Sequence, residues 1–130
     1  MNILITGACG GMGKATVSLL KEKGHTIYAI DKKIVNPIEG VIYYEVDITC
    51  SIELTNVFEK IKTQIQTIDV IIHFAGIYNL DSLVEISEDE WEKIFSINLF
   101  GVYRINKLFL PLLEKNIKII ITSSELAPLD

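Results

Sequence analysis

The sequence is poor in cysteine, and this scarcity excludes several kinds of protein. Cys9 and Cys50 are the only two cysteines among 130 residues. Two thiols cannot form the framework of bridges on which small secreted domains depend, and their spacing matches no metal-binding motif. We therefore expect two reduced thiols and no metal site.

Basic residues and long apolar runs are also scarce. The chain has 12 Lys and Arg against 17 Asp and Glu, a net charge of −5 and a pI near 5.0. No basic patch is available to neutralise phosphates along a duplex, so we expect no nucleic-acid partner. No apolar run approaches the roughly 20 residues that span a bilayer, and the first predicted strand begins at residue 2, so we expect no signal peptide, no membrane partner and a cytoplasmic location.

Glycine, in contrast, is concentrated near the start of the chain. Four of the eight glycines lie between Gly7 and Gly13. An apolar run from Asn2 to Thr6 leads into this turn, and helical spacing follows it. The pattern predicts a strand, a tight turn and a helix whose inner face carries Met12, Ala15, Thr16, Leu19 and Leu20.

The predicted turn has the properties of a pyrophosphate site. A helix that starts directly after a strand presents unpaired N–H groups and the positive end of its dipole. A pyrophosphate reaches them only where side chains are absent, as at Gly7 and Gly11, while Gly13 lets the helix pack closely on the sheet. Asp31 ends a second predicted strand (His25 to Ile30) at the distance where such folds place a carboxylate on the ribose, although it could also be an ordinary loop acid.

The rest of the chain alternates strands and helices. With 49% hydrophobic residues it can bury the core of a single domain, residues 1–130. The alternation predicts an α/β fold, a doubly wound parallel sheet of five strands in the spatial order 3-2-1-4-5. The later strands are predicted at Val41 to Val46, Asp69 to Phe74 and, buried, Lys118 to Thr122; between them Ser51 caps a helix that buries Leu54, Val57, Phe58, Ile61 and Ile65.

One predicted helical stretch is longer than the others. Ser87 and Glu90 form a capping box at its start, and Asn98 interrupts its apolar face, so the amide must either tie down local backbone or hold a buried water. From Leu99 to Leu113 the helix is apolar almost all round, which predicts a second cover, either a neighbouring helix or another subunit. Pro111 marks a bend or the last turn.

Several motifs resemble those of one enzyme family. TGACGGMG, residues 6–13, resembles the T-G-x-x-x-G-x-G opening of the short-chain dehydrogenase/reductase family, and it fits the T-G-x-x-G-x-x-G opening of the extended branch equally well. ISEDEWEKIFSINLFGVYRINKLFLPLL resembles the segment between the fourth and fifth strands and favours the non-extended branch. HFAG, residues 73–76, departs from the family's N-N-A-G, because both asparagines are missing. If the first asparagine of that motif holds the sheet together, His73 must supply a substitute hydrogen bond here. A P-loop is disfavoured, because it requires glycine at Ala8 and a hydroxyl at Ala15.

This resemblance implies an NAD(P)-dependent oxidoreductase with a Rossmann-type sheet, a carbonyl or alcohol substrate and oligomers paired through the Leu99 to Leu113 helix. Asp31 favours NAD, because it would repel the 2′-phosphate of NADP, a repulsion that Lys32 partly offsets. Asn98 would hold a water in a proton relay, and Ser124 would bond the substrate oxygen. The implied cofactor residues are Gly7, Cys9, Gly10, Gly11, Met12, Gly13, Asp31, Asp47, Ile48, Phe74, Ala75 and Gly76.

The family's catalytic tyrosine and lysine have no counterpart at the expected place. They follow the serine, four residues apart, yet only six residues follow Ser124 and none is tyrosine or lysine. Tyr28 with Lys32 and Tyr103 with Lys107 match the spacing but precede the serine, and we interpret both as fortuitous. We therefore expect the N-terminal part of such an enzyme, inactive as a 130-residue chain. A non-catalytic dinucleotide-binding module is the alternative; a receiver domain is suggested by length alone.

Overall fold

A computed structural model describes residues 1–78 and 80–123 of the chain. Five strands are present in the described residues: β1 (Asn2–Thr6), β2 (Thr26–Asp31), β3 (Ile42–Glu45), β4 (Ile68–His73) and β5 (Leu113–Ile121). The four α-helices there are α1 (Gly11–Glu22), α2 (Ser51–Lys62), α3 (Glu88–Phe95) and α4 (Gly101–Phe109). No helix in this part of the chain is long and apolar enough to cross a membrane.

The strands form one parallel sheet, and its order confirms the prediction. Neighbouring strands follow the order β3-β2-β1-β4-β5. Ile3 of β1 is paired with Ile27 of β2 on one side and with Val70 of β4 on the other. Because all strands run the same way, their carboxyl ends meet along one edge, which is where open α/β sheets bind ligands.

Helices cover both faces of the central strands, so alternate residues of each strand enter different cores. One core lies beneath α1 and contains Ile3, Ile5, Val17, Ile27 and Val70. The other lies beneath α2 and α4, where the rings of Phe58 and Phe109 are 5.3 Å apart. Burial on both sides explains why these strands are continuously apolar rather than alternating.

The inner face of α1 differs from the predicted one. Gly13 and Val17 are buried, whereas Met12 and Leu19 are 63% and 53% exposed. The close packing predicted for Gly13 is observed, whereas Val17, which is also apolar, was missing from the predicted inner face. The predicted N-cap of α2 was also wrong. Ser51 is the first residue of the helix, and Cys50 occupies the N-cap position without a side-chain hydrogen bond.

The fifth strand is longer and more exposed than predicted. It runs from Leu113 to Ile121, and Ile119, Ile120 and Ile121 are 40%, 49% and 56% exposed. The prediction of a buried strand was therefore wrong. Within the described residues β5 is the last strand in the order and pairs with β4 alone, so one edge and much of both faces are open.

The long helical stretch is interrupted twice. Ser87 caps α3 as predicted, since its Oγ accepts the Glu90 N–H at 3.2 Å. A wider π-helical turn, Ser96–Phe100, then separates α3 from α4, and a short 3-10 turn, Leu110–Leu112, containing Pro111, ends the stretch. Such π turns often accompany functional sites, and this one contains Asn98.

Candidate functional site

The turn between β1 and α1 is shaped by glycine at two positions. Gly7 has a φ of +65°, and a Cβ there would lie 2.5 Å from the Ala75 nitrogen. A Cβ on Gly13 would overlap the Gly7 carbonyl oxygen. A Cβ on Gly11 would meet no atom within 4 Å. Packing therefore explains Gly7 and Gly13, whereas the open space at Gly11 leaves the start of α1 accessible to an anion.

Asp31 lies at the end of β2 and is tied to this turn. Its Oδ2 accepts the Cys9 N–H at 2.8 Å, and its Oδ1 accepts the Lys32 N–H at 2.7 Å. The neighbouring Ala8 N–H donates to the Ile30 carbonyl oxygen at 3.2 Å. These bonds fix the carboxylate beside the start of α1, and each oxygen keeps a lone pair for a further donor.

Asp47 follows β3 and forms a local turn. Its Oδ1 accepts both the Thr49 N–H at 2.9 Å and the Thr49 hydroxyl at 2.6 Å. The Thr49 hydroxyl bond, then the backbone bond, lower the pKa of Asp47, and the nearby charges of Lys32 and Lys93 act in the same direction. The carboxylate is therefore ionised at neutral pH.

The segment after β4 is held to β1 and to the π-helical turn. The N–H groups of Phe74 and Ala75 donate to the backbone oxygen and the hydroxyl of the buried Thr6, at 3.1 and 3.2 Å. Asn98 holds the next residue at both ends, because its Oδ1 accepts the Ile77 N–H at 2.8 Å and its Nδ2 donates to the Ile77 oxygen at 2.7 Å. The Asn98 amide thus ties down backbone, the first of the two alternatives open from the sequence.

His73 joins three elements at the end of β4. Its side chain is buried, and Nε2 lies 2.9 Å from Oδ1 of Asn106 on α4. Its carbonyl oxygen accepts the N–H and the hydroxyl of Thr122 at 3.3 and 2.7 Å. Burial lowers the pKa of His73, and the Asn106 bond only partly opposes this effect, so the imidazole is neutral at pH 7. His73 supplies the cross-link that its departure from N-N-A-G requires.

These segments enclose a cleft of about 330 Å³ at the carboxyl edge of the sheet. Eight predicted cofactor residues line it: Gly7, Gly10, Asp31, Asp47, Ile48, Phe74, Ala75 and Gly76. The other four, Cys9, Gly11, Met12 and Gly13, lie on the adjoining turn and α1, where Gly13 is buried as a packing residue. Asn98 reaches the cleft wall through Ile77, and Ser124 lies outside the described residues.

The cleft also has lining residues that the sequence reasoning missed. Lys93 and Ile97 lie one helical turn apart and present side chains to it from α3 and the π turn. The position of Ile97, directly before Asn98, was a usable signal, but nothing in the local pattern singled out Lys93. In the described part of the chain, no group of three or more His, Cys, Asp or Glu could hold a metal ion.

Tyr103 and Lys107 form the contact that their spacing allows. Lys107 Nζ donates to the Tyr103 hydroxyl at 3.2 Å, on the side of α4 that faces α2. They line a second groove and are absent from the lining of the cleft. The structure therefore gives this pair no role in the cleft.

Comparison with known proteins finds similar oxidoreductases. The family model described as short chain dehydrogenase matches residues 1–129. Over 122 residues the chain is 33% identical to the 3-oxoacyl-(acyl-carrier-protein) reductase FabG of Thermotoga maritima, covering 86% of this chain and 50% of that protein. It is 36% identical over 113 residues to the 3-ketodihydrosphingosine reductase of Bacteroides thetaiotaomicron, covering 87% and 42%.

A solved structure agrees with these matches. A short chain dehydrogenase family protein from Francisella tularensis superposes with a TM-score of 0.89 at 28% identity. The superposition covers 99% of this chain and 53% of that protein. The chain thus spans about half the length of the relatives that it matches.

Proposed function

Because the chain belongs to the short chain dehydrogenase family, we propose that its cleft binds the nicotinamide dinucleotide of a carbonyl reductase or alcohol dehydrogenase. Two similar proteins are named reductases, which supports an oxidoreductase. The dinucleotide, when bound, accepts or donates the hydride exchanged with the carbonyl or alcohol substrate. Hydride transfer is proposed for a protein of the relatives' length, because this chain spans about half of it.

The observation that carries the proposal is the composition of the cleft. It joins the turn at the open start of α1, the fixed carboxylate of Asp31 and the apolar side chain of Ile48. Its volume of about 330 Å³ falls in the range of small-molecule sites. In this arrangement the first N–H groups of α1 would bind phosphate, the Asp31 carboxylate would accept hydrogen bonds from the ribose hydroxyls, and Ile48 would lie beside the adenine.

Charge in the cleft supports NAD rather than NADP. The Asp31 carboxylate repels a 2′-phosphate and suits two hydroxyl donors. Lys32 and Lys93 also line the cleft and partly offset this repulsion, so the preference is moderate.

The remaining predicted site residues have different tasks. Asn98 positions the cleft wall through both of its bonds to Ile77. We propose, on the resemblance, that Ser124 bonds the substrate oxygen. General acid catalysis is worth about 10² to 10⁴ in rate, and the 130-residue chain has no tyrosine and lysine after Ser124 to supply it. We therefore propose that this chain binds the dinucleotide without turnover.

Calorimetry with NAD and NADP tests this function. We expect wild type to bind NAD more tightly, and Asp31→Asn to improve the NADP to NAD affinity ratio by about 10-fold, since one charge is removed near the 2′ position. Glu22→Gln, the same charge change on exposed α1 surface, should leave the ratio unchanged. Tighter NADP binding by wild type would contradict the role of Asp31, and NADH oxidation with a carbonyl would contradict the absence of turnover.

A dinucleotide-binding module without chemistry is the second candidate. The missing tyrosine and lysine favour it within these 130 residues. The coding sequence after Asp130 decides between the two, because an enzyme requires the pair further along the chain.

A further inference from the structure

The π-helical turn, Ser96–Phe100, contributes to the wall of the cleft. Ile97 lines the cleft directly, and Asn98 holds the backbone of Ile77, another lining residue, through two bonds of 2.8 and 2.7 Å. A Cβ on Gly76 would lie 3.3 Å from Oδ1 of Asn98, so this amide packs closely against the wall. The rotation of the turn therefore decides whether the Asn98 amide meets its backbone partners.

Arg104 holds the turn from outside the cleft, whose lining it does not join. Its Nη1 donates to the Ser96 carbonyl oxygen at 3.0 Å, and Nη1 and Nη2 lie 3.4 and 3.5 Å from the Ser96 hydroxyl. The guanidinium carbon lies 5.9 Å from the centre of the Phe100 ring, within the range of a cation–π contact. Arg104 thus contacts the first and the last residue of the π-helical turn.

These contacts support a turn of unusual geometry. Hydrogen bonds between residues five apart are rare in proteins, which indicates that a π-helical turn is less favourable than the α-helix it interrupts. A carbonyl oxygen has two lone pairs, so the Ser96 oxygen can accept from Arg104 as well as from the helix backbone. Hydrogen bonds from a charged donor are stronger than neutral ones, and this one is partly buried. Arg104 therefore favours the π-helical turn over a regular helix.

We propose that Arg104 is a positioning residue for the cleft. By bonding the Ser96 carbonyl oxygen it fixes the rotation of the π-helical turn, and this rotation directs the Asn98 amide onto both backbone groups of Ile77. The role needs no access from solvent, so it is compatible with another subunit covering the exposed side chains nearby. Its effect on ligand binding rests on the proposed dinucleotide function, whereas its effect on Ile77 does not.

Hydrogen exchange of the ligand-free chain tests the effect on Ile77. Arg104→Gln removes the charged donor to Ser96 and should make the Ile77 amide exchange about 10-fold faster, since a hydrogen bond from a charged group is lost. Lys107→Gln removes a cation from the next turn of α4, where the ammonium bonds the Tyr103 hydroxyl, and should leave this rate unchanged. An Ile77 rate that Arg104→Gln does not alter would overturn the proposal.

A double-mutant cycle tests whether Arg104 acts through Asn98. Asn98→Ala removes the bond to the Ile77 amide directly, so adding Arg104→Gln to it should raise the exchange rate no further. An increase as large with Asn98→Ala as without it would show that Arg104 acts independently of Asn98 and would overturn the proposal.

Two controls separate positioning from charge and from global unfolding. Arg104→Lys keeps the charge but loses the planar fork, so it should recover only part of the Ile77 protection, whereas a pure charge effect would be recovered fully. The Ile5 amide lies in the buried strand β1 and reports global unfolding, so its rate should stay constant. If Arg104→Gln also speeds up Ile5, the milder Arg104→Lys decides, with faster exchange expected at Ile77 alone.

Calorimetry with NAD tests the consequence for binding. Arg104→Gln should weaken NAD binding several-fold, because the Ile77 backbone that it releases belongs to the cleft wall, and Lys107→Gln should not. A wild-type chain that binds no NAD would contradict the proposed function and leave the exchange result standing. Equal NAD affinity of wild type and Arg104→Gln, with faster exchange at Ile77, would overturn the role of Arg104 in positioning the cleft.

Discussion

The centre of the sheet and its β5 edge are built from similar isoleucine-rich strands but are covered very differently. Ile5 of β1 and Ile30 of β2 are fully buried, whereas Ile120 and Ile121 of β5 are about half exposed. β1 has a paired strand on each side and helices on both faces, while β5 has one paired strand in the described chain. Position in the sheet, rather than composition, therefore decides burial.

The helices show the same contrast. α2 buries its apolar stripe of Leu54, Val57, Phe58 and Ile61. α4 buries Ile105 and Phe109, but Leu99 and Phe100 of the π-helical turn and Tyr103 of α4 are more than half exposed. The central strands are thus covered on both faces, whereas the β5 and α4 part presents apolar surface of a kind that proteins usually cover.

The largest expected effect on stability comes from disturbing the packing of α1 on the covered central strands. Gly13→Ala places a Cβ on the Gly7 carbonyl oxygen, which backbone movement must relieve, so we expect a loss of about 2 kcal/mol or more in the free energy of unfolding. Gly11→Ala, two residues earlier, meets no atom within 4 Å and should be neutral or stabilising by up to about 1 kcal/mol. Urea unfolding of both variants measures the difference. Equal midpoints would contradict the packing role of Gly13.

A smaller effect, on self-association, is expected from the exposed apolar surface of the π-helical turn and α4. We propose that the Leu99 to Leu113 stretch, which is helical only as far as Leu112, pairs with a second copy, because Leu99, Phe100 and Leu110 are uncovered in the described chain. Phe100→Glu should weaken self-association about 10-fold or more, since a charge would enter an apolar contact. Ile52→Glu, on exposed α2 surface, is the control and should leave it unchanged. Light scattering over a concentration series measures the self-association of wild type and both variants. A wild-type chain that stays monomeric at high concentration would contradict the proposed pairing.

Sequence reasoning succeeded where a pattern directly reflects a contact. The order of the five strands was predicted from apolar runs and the strand order typical of doubly wound dinucleotide-binding sheets, and Ser87 could be assigned as a cap from its spacing to Glu90. It failed where the neighbours of a side chain decide its burial. Met12 and Leu19 were assigned to the inner face of α1 but are exposed, and the KIIIT run of β5 looks the same whether it is covered or open.

The site shows the same limit. Residues on turns after strands could be assigned from topology, which brought Asp31, Asp47 and Gly76 to one cleft. Lys93 lines the cleft and Asn106 contacts His73 from opposite sides of the π-helical turn at Ser96–Phe100. This turn changes the angle between the side chains before it and those after it. A helical period of 3.6 residues could not predict this extra residue in the turn.

The smallest effect concerns His73 on β4, the strand that lies between the covered central strand β1 and the exposed edge strand β5. Burial lowers its folded-state pKa below the ordinary value of 6.5. Above pH 6.5 the imidazole is neutral in both the folded and the unfolded chain, so its burial does not make the free energy of unfolding depend on pH. As the pH falls below 6.5 the unfolded chain takes up a proton that the folded chain does not, so stability decreases until the folded pKa is reached.

We therefore expect the free energy of unfolding to decrease between pH 7 and pH 5, by about 1.4 kcal/mol for each unit by which the pKa is lowered. Asp47 has a lowered pKa too, but its contribution is lost only below its ordinary value of 3.8, outside this window. His73→Asn should flatten the slope, because no group then titrates beside Asn106. Urea unfolding at three pH values measures each slope. A His73→Asn slope equal to that of wild type would show that this buried histidine is not the cause of the decrease in the free energy of unfolding between pH 7 and pH 5.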